Sequence, residues 1–448
     1  MRANSIRRSL LSFTFAALVF LQGYFIARHE TWLLLTTFGL LAFLFAWIYL
    51  KEEDTGYWIR ASFVFRLLLL FATPWLSEDI YRYLWDGELL VAGIHPFDHV
   101  PSWYAAQNFF PGDTAGLYAR LNSPDYFTIY PPAAQYLFGL CAWFSKSAQS
   151  GIFIFRIIIL LFELGTIFLL QQAVAAFGCN KRNVLIYALN PLVILEVTGN
   201  LHLEGIMIFF LLSAIMLLAK NKFLISSLSM CMSIAIKLIP LMFLPLLIRT
   251  LGWRRSALYF IVLGTSLAII AIPVLNSAIF AGYETSLSYY FKKFEFNASI
   301  YYLLREWGYL QYGYNIIGDI GWKLGVVTIL SVILFSFLKR FTLWEKMLLS
   351  LTVFLLLSTT VHPWYVIPAV LLSVFTRYSY PAVWSMVIFF TYAGYSENGF
   401  RENIPIIVAE YLLVLIIVVL ESRRKISFLY SPHAGTDHLL QKSNSRKS

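Results

Sequence analysis

Two acidic residues open the stretch Ser77-Glu78-Asp79-Ile80-Tyr81-Arg82-Tyr83-Leu84-Trp85-Asp86-Gly87, directly after a long apolar run. If a helix restarts here with Ser77 as N-cap, Asp79, Arg82 and Asp86 share one face by three- and four-residue spacing. An aspartate held where lipid meets water reaches both a water-borne hydroxyl and a lipid-anchored phosphate. Asp79 is therefore the candidate general base, with Glu78 beside it as a second catalytic acid. On pattern alone another reading stays open: two acids simply favour the positive end of a helix dipole. His362, in His362-Pro363-Trp364-Tyr365, is a candidate for binding phosphate, orienting an acceptor or assisting the base, set against the ordinary role of a helix-end residue.

A sugar carried on a lipid phosphate already has a good leaving group, so one base suffices to deprotonate the attacking hydroxyl. A glycoside hydrolase, in contrast, ordinarily needs two cooperating carboxylates. The departing phosphate needs cations or other donors near it. Arg82, Lys292, Lys293 and Arg305 are the candidates, each also readable as a solvated or headgroup charge. Tyr83, Asp86, Tyr130, Glu284 and Trp364 complete the candidate substrate-binding set, and His95 is a weaker one.

The elements that must position these residues are membrane helices. The chain is 59% hydrophobic and 13% charged, too little polar surface for a water-soluble fold of this length. Apolar runs of about 18 residues or more recur along it, the length a bilayer demands of a helix. They do not alternate as barrel strands would. The expectation is an all-α, polytopic transmembrane bundle of about 12–14 spans with two large external loops, about 77–131 and 278–320. Residues 1–57 are expected to form two leading helices, 58–421 the core, and 422–448 a polar, basic cytoplasmic tail without order.

Arg2, Arg7 and Arg8 precede the first run and resemble a signal peptide. The apolar stretch is long and Ala27-Arg28-His29-Glu30 is a poor cleavage site, so a retained span is expected. The positive-inside bias then puts both ends in the cytoplasm and the Ser77 loop outside. Fourteen spans leave Lys181, Arg182, Lys220 and Lys222 on the wrong side. A run at 132–145 that only dips into the membrane corrects this, provided a compensating break falls near Lys237 and Pro240. Both versions stay open, and both keep the Ser77 loop outside. Charges within predicted spans (Arg66, Arg156, Glu163, Lys237, Glu410) call for partners or function; Arg156 and Glu163, seven apart, share a helix face.

The formal charge of +10 sits in short loops and at the two ends, with no basic stripe interleaved with aromatics, so nucleic acid is excluded as a partner. No Gly-rich phosphate loop or dinucleotide fingerprint occurs, which favours a lipid-linked donor over a nucleotide sugar. Metal-ligand clusters are missing, so no cofactor is expected and a divalent metal is not indicated. Cys141, Cys179 and Cys231 lie in or beside apolar runs as packed thiols.

The stretch from Ser77 through Gly93-Ile94-His95-Pro96-Phe97 resembles the first external loop of the GT-C glycosyltransferases, in particular the bacterial polyprenyl-phosphate-mannose-dependent mannosyltransferases. Tyr130-Pro131-Pro132, Asn190-Pro191, Gly199-Asn200-x-His202, Lys237-x-x-Pro240 and His362-Pro363-Trp364-Tyr365 continue the likeness from about Trp58 to Pro368. Glu204 stands where many relatives carry Asp, and the two leading helices look like an addition. The resemblance implies Asp79 as base, His362 in the active site, and inverting transfer of a hexose, mannose among them, from polyprenyl phosphate. The acceptor would be a glycan, lipid or protein, at the external face of a bacterial inner membrane. A transporter or flippase of lipid-linked sugars, or a polymerase of them, is the competing class; a transporter concentrates its essential groups in broken, repeated mid-membrane helices.

Overall fold

The computed structural model describes residues 2–112, 114–275, 282, 284–286 and 293–424. The first three helices are α1 (Arg2–Tyr24), α2 (Thr31–Lys51) and α3 (Thr55–Leu67). The loop after them carries α4 (Asp79–Val91), α5 (Pro101–Ala106) and α6 (Thr114–Tyr118). Next come α7 (Pro132–Phe144), α8 (Ala148–Ala176), α9 (Val184–Ala188) and α10 (Pro191–Val193), which runs into a π-helical turn, Ile194–Gly199. Then follow α11 (Glu204–Ala219), α12 (Phe223–Ile236), α13 (Leu244–Leu251) and α14 (Trp253–Ala271). The last are α15 (Ile300–Tyr312), α16 (Ile317–Phe337), α17 (Leu343–Leu357), α18 (Ile367–Ser373), α19 (Tyr380–Val387) and α20 (Ile404–Arg424). Among the described residues the only named strands are a two-residue pair, Tyr395–Ser396 with Gly399–Phe400.

This is an all-α, multi-pass membrane protein. Among the described residues five helices are long and apolar enough to cross a bilayer: Thr31–Lys51, Ala148–Ala176, Trp253–Val274, Ile317–Phe337 and Ile404–Arg423. A sixth is counted if Pro191–Gly199 and Glu204–Ala219, bent by 112°, are one span. That is fewer unbroken helices than the apolar runs suggest, and proline is the reason. Pro191, Pro240, Pro245, Pro363, Pro368 and Pro381 each sit in the first turn of a new segment, where the missing N–H costs nothing. Runs that read as continuous are therefore built from shorter pieces.

Contacts between helix ends settle which segments share an end of the bundle. At one end Arg7 pairs with Glu52 at 2.8 Å, and Arg182 donates to the carbonyls of Ile48 and Glu52. Asn183 donates to Val374 O at 3.0 Å, and Phe177 packs on Trp344 and Phe375. At the other end Arg28 bonds Glu78 at 2.9 Å and lies over the Tyr395 ring, while Leu76 N–H donates to Asn200 Oδ1 at 3.0 Å. Lys181 and Arg182 thus join the Arg7 end, and Asn200–Glu204 the Asp79 end.

Helix α7 explains the alternation. Its 13 residues span about 20 Å at 1.5 Å per residue, short of the roughly 30 Å hydrocarbon core. Gly151, just beyond it, is pressed on Leu84 of α4. Both ends of α7 therefore stay on the Asp79 side, and the 132–145 run dips without crossing. The compensating break is also present: α12 stops at Ile236, Lys237 is extended, and a 3-10 turn, Ile239–Phe243, leads into α13.

The two leading helices are part of the packed bundle: Phe15 stacks on Phe65 at 4.7 Å and Phe38 on Phe389 at 3.6 Å. The charges expected inside spans find polar partners. Arg66 meets Glu163 at 3.0 Å, and Tyr187 donates to the same carboxylate at 2.6 Å. Arg156, expected on one face with Glu163, turns instead to the carbonyls of Leu70, Thr198 and Gly199. Glu410 accepts from Trp384 Nε1 at 2.8 Å and from Asn297 at 3.3 Å.

Candidate active site

Helix α4 begins at the membrane-proximal end of the first loop, with Glu78 in the cap position, and Ser77 Oγ accepts from Asp79 N–H at 3.2 Å. The cap thus falls one residue later than expected. Glu78 is held by Arg28, which leaves Asp79 as the carboxylate facing the interior of the site. Asn122 of the first loop donates to Asp79 Oδ1 at 3.4 Å, and His202 Nδ1 lies 3.8 Å from Oδ2. The Asp79 side chain keeps 21% of its surface open to solvent. Its carboxyl is pushed up to about 6, first by desolvation; Lys237 and Asn122 pull it down, and Glu204 and Glu78 push it up.

His202 is delivered by the break between the π-helical turn and α11. Leu201, a non-glycine residue, adopts φ 65° there, a left-handed conformation with a steric cost. Arg156 holds the carbonyls of Thr198 and Gly199, each at 3.0 Å, and so fixes the preceding turn. The His202 ring stacks on Trp364 at 3.8 Å, and Trp364 stacks on His362 at 4.5 Å. His362 is pushed down to about 3 by burial and by the Lys237 charge, so its imidazole is neutral at neutral pH. Lys237 forms an ion pair with Glu204 and points over the Tyr365 ring at 5.0 Å. His202 Nε2 lies 3.3 Å from Glu196 Oε2, so one cation, two histidines and two further carboxylates, Glu196 and Glu204, gather on the Asp79 side.

The structure brings Asp79, His362 and Trp364 into this cluster, with Tyr83 and Tyr130 beside it. Tyr83 packs against Tyr130 at 4.9 Å and Phe138 at 4.5 Å. It does not bring the other candidates. Arg82 is 4% exposed, and its guanidinium is spent on Asp86 at 2.8 Å and on the carbonyls of Ser123 and Tyr126. Asp86 is fully buried and also accepts from Gln135 at 3.2 Å. Arg82 and Asp86 are therefore an internal strut that ties the loop to α4 and α7, and the single face expected for Asp79, Arg82 and Asp86 is divided. Arg305 is likewise occupied, by Glu295 at 3.3 Å and Glu306 at 3.0 Å. Lys293 and Glu284 are exposed, and no contact among the described residues links them to the cluster. Lys292 lies outside the described residues. His95 bonds Val274 O at 2.6 Å and lines a small recess with Phe97, Tyr130 and Gln135.

A family model described as Alpha-(1->6)-mannopyranosyltransferase, N-terminal domain, matches residues 12–252, just over half of the chain. The chain belongs to that mannosyltransferase family. No individual curated protein matches it significantly. The matched region starts inside α1 and includes α2. It also contains Asp79, Asn122, Glu196, His202, Glu204 and Lys237, whereas His362 and Trp364 lie beyond it.

In this mannosyltransferase the residues that sequence reasoning did not place at the centre are Asn122, Glu196, Lys237 and Tyr392. The signal for Glu196 was a buried-looking run, Leu195-Glu196-Val197, whose single charge precedes the Asn200 and His202 landmarks by one helical turn. Lys237 looked like an intramembrane charge until the break at 237–240 carried it to the Asp79 end.

Proposed function

We propose that this mannosyltransferase takes mannose from a polyprenyl-phosphate carrier and passes it to a glycan, lipid or protein acceptor. The reaction is a single inverting displacement with Asp79 as general base. The observation that carries the reading is Asp79 at the start of α4: desolvated, still partly open to solvent and faced by His202, while its neighbour Glu78 is held by Arg28. Asp79 takes the proton of the acceptor hydroxyl as that oxygen attacks the anomeric carbon, and the phosphate leaves with the bonding electrons. If the product is α-(1→6), as the family's description says, a single displacement requires a β-configured donor and a primary 6-hydroxyl on the acceptor. Lys237, the nearby cation with 22% of its side chain exposed, is the residue best placed to answer the phosphate charge. Arg82 is less suited because its guanidinium is buried against Asp86 and two loop carbonyls, and Arg305 because it is held on α15 by Glu295 and Glu306.

The orientation follows from charge. Arg7, Lys181 and Arg182 share the end opposite Asp79, and basic residues mark the cytoplasmic side. The site then faces away from the cytoplasm, in the inner membrane of a bacterium, where a lipid-linked donor presents its sugar.

The test is Asp79→Asn in membranes supplied with polyprenyl-phosphate-mannose. Turnover is expected to fall by roughly 10²–10⁴-fold with donor binding retained. Wild-type turnover would remove Asp79 as base, and carrier movement without transfer would point to the transporter class.

A further inference from the structure

Behind Asp79 lies a second layer that the displacement itself does not use. His202 is 1% exposed and Glu196 is fully buried. His202 Nε2 lies 3.3 Å from Glu196 Oε2, within ion-pairing distance although out of line for a hydrogen bond. Glu196 Oε1 accepts from the Tyr392 hydroxyl at 2.7 Å, and Oε2 from Asn200 Nδ2 at 3.4 Å. None of these partners carries a fixed positive charge. A carboxylate anion so enclosed would be very costly, whereas a neutral carboxylic acid is not.

We propose that Glu196 and His202 are positioning residues for Asp79: a neutral Glu196 donates its proton toward His202 Nε2, which leaves the ring proton on Nδ1, facing Asp79 Oδ2. The tautomer of an imidazole is set by what its other nitrogen meets, and here an acid O–H on one side makes the other side a donor. The 3.8 Å separation from Asp79 and the misaligned approach of Glu196 to Nε2 both close to hydrogen bonds with a shift of roughly 0.6–1 Å and a turn of the ring, of the kind active sites make when substrate arrives. The donated hydrogen bond holds Asp79 in its charged, base-competent form and aims the opposite oxygen at the acceptor.

The surrounding architecture makes sense only if the ring position matters. A π-helical turn, a positive φ at Leu201, an Arg156 clamp on two carbonyls and a stack on Trp364 all converge on one imidazole. π-bulges and strained backbone collect at functional sites. A helix end that merely needed to turn would use glycine and water.

This inference rests on Asp79 being the base, so the experiment keeps the two apart. Asp79 is also faced by Glu78 from its own helix end, Asn122 from the first loop, Glu204 from α11 and Lys237 beyond α12; all stay in place. Full-length protein in vesicles is assayed with polyprenyl-phosphate-mannose and acceptor across pH, with thermal unfolding of each variant measured in parallel. His202→Phe keeps the stack and removes the donor. It is expected to lower kcat roughly tenfold or more, less than the base itself, with both KM values within about twofold. The acid limb of its profile moves up by about half a pH unit or more. Glu196→Leu behaves the same way, and Glu196→Gln, which mimics a neutral acid, recovers most of that loss. Tyr392→Phe, which removes a hydrogen bond favouring the charged form of Glu196 and so leaves the acid neutral, should leave the limb where it is.

Asp79→Asn inactive but His202→Phe at wild-type kcat with an unmoved limb overturns the positioning role and leaves the base intact. A limb displaced in Tyr392→Phe overturns the neutral state of Glu196. Glu196→Gln as slow as Glu196→Leu overturns the neutral state of Glu196. Asp79→Asn at wild-type turnover overturns the base and this inference together.

Discussion

At the scale of single residues, the cluster turns on how one carboxylate is kept ionised in a poorly solvated place. Burial pushes Asp79 up to about 6, and the Lys237 charge is the largest influence pulling the other way. A base works only when deprotonated, so kcat/KM should be fully developed above pH 7 and fall as pH drops through about 6. Removing the Lys237 charge takes away what favours the carboxylate, so Lys237→Gln should move that acid limb to higher pH. It also leaves Glu204, fully buried, without its partner, and breaking such a pair from one side is destabilising. Lys237→Gln combined with Glu204→Gln should therefore regain thermal stability over the single variant without regaining the rate. A double variant as fast as wild type would show that Lys237 serves only to neutralise Glu204. The acid at position 79 was legible in the sequence because its neighbours spell out a helix start after an apolar run. Its partners were not, because Glu196, His202 and Lys237 come from segments 117–158 positions away, and only the fold says which of them share an end.

At the scale of elements, the site is held by close helix crossings that the sequence marks only with glycine. Gly87 of α4 lies against α7 so tightly that a Cβ there would sit 2.3 Å from Phe138 O. A backbone oxygen cannot step aside as a flexible side chain can. Gly87→Ala should therefore push α4 off α7 at a cost of about 1–3 kcal/mol. It should also disturb the strut of Arg82, Asp86 and Gln135, since Asp86 is the preceding residue. The expected result is a lower unfolding temperature together with reduced turnover; an unchanged unfolding midpoint would mean the crossing is looser than drawn. Gly151 offers the control, since its nearest neighbour is the Leu84 side chain, at 2.6 Å, which can rotate. The existence of the membrane helices was readable from hydropathy, because apolar runs have one cause in a bilayer, whereas the short helices of the polar loops, α5, α6 and α15, left no such signal. Helix continuity was not. Runs such as 184–198 and 363–376 kept their apolar character across Pro191 and Pro368, so length alone overstated the number of unbroken spans. Asn200–Glu204 enter the site through the π-helical turn and Leu201, and His362 at the 3-10 turn that Pro363 opens.

At the scale of the whole molecule, the reading depends on which compartment the Asp79 end meets. Arg7, Arg182 and Asn183 anchor one end through Glu52 and Val374, and the first loop, with Arg28, Asn200 and His202, forms the other. Hydropathy could not choose between the two topologies, because they differ only in whether 13 apolar residues of α7 cross or dip; Gly151 on Leu84 and Arg156 on Leu70 O make that choice through packing. The compartment can then be assigned by labelling. Gln107 is exposed in the first loop and Lys181 is exposed at the Arg7 end, so a cysteine at either position is open to reagent. Cys141 and Cys231 are buried, and Cys179, partly exposed, would be replaced by serine to clear the background. In intact cells a membrane-impermeant maleimide should label Gln107→Cys and leave Lys181→Cys untouched, with Lys181→Cys reacting only after the membrane is opened. The reverse pattern would put Asp79 in the cytoplasm, where basic residues would then mark the outer face against their usual bias. A lipid-phosphate donor presented outside would in that case be out of reach of the base.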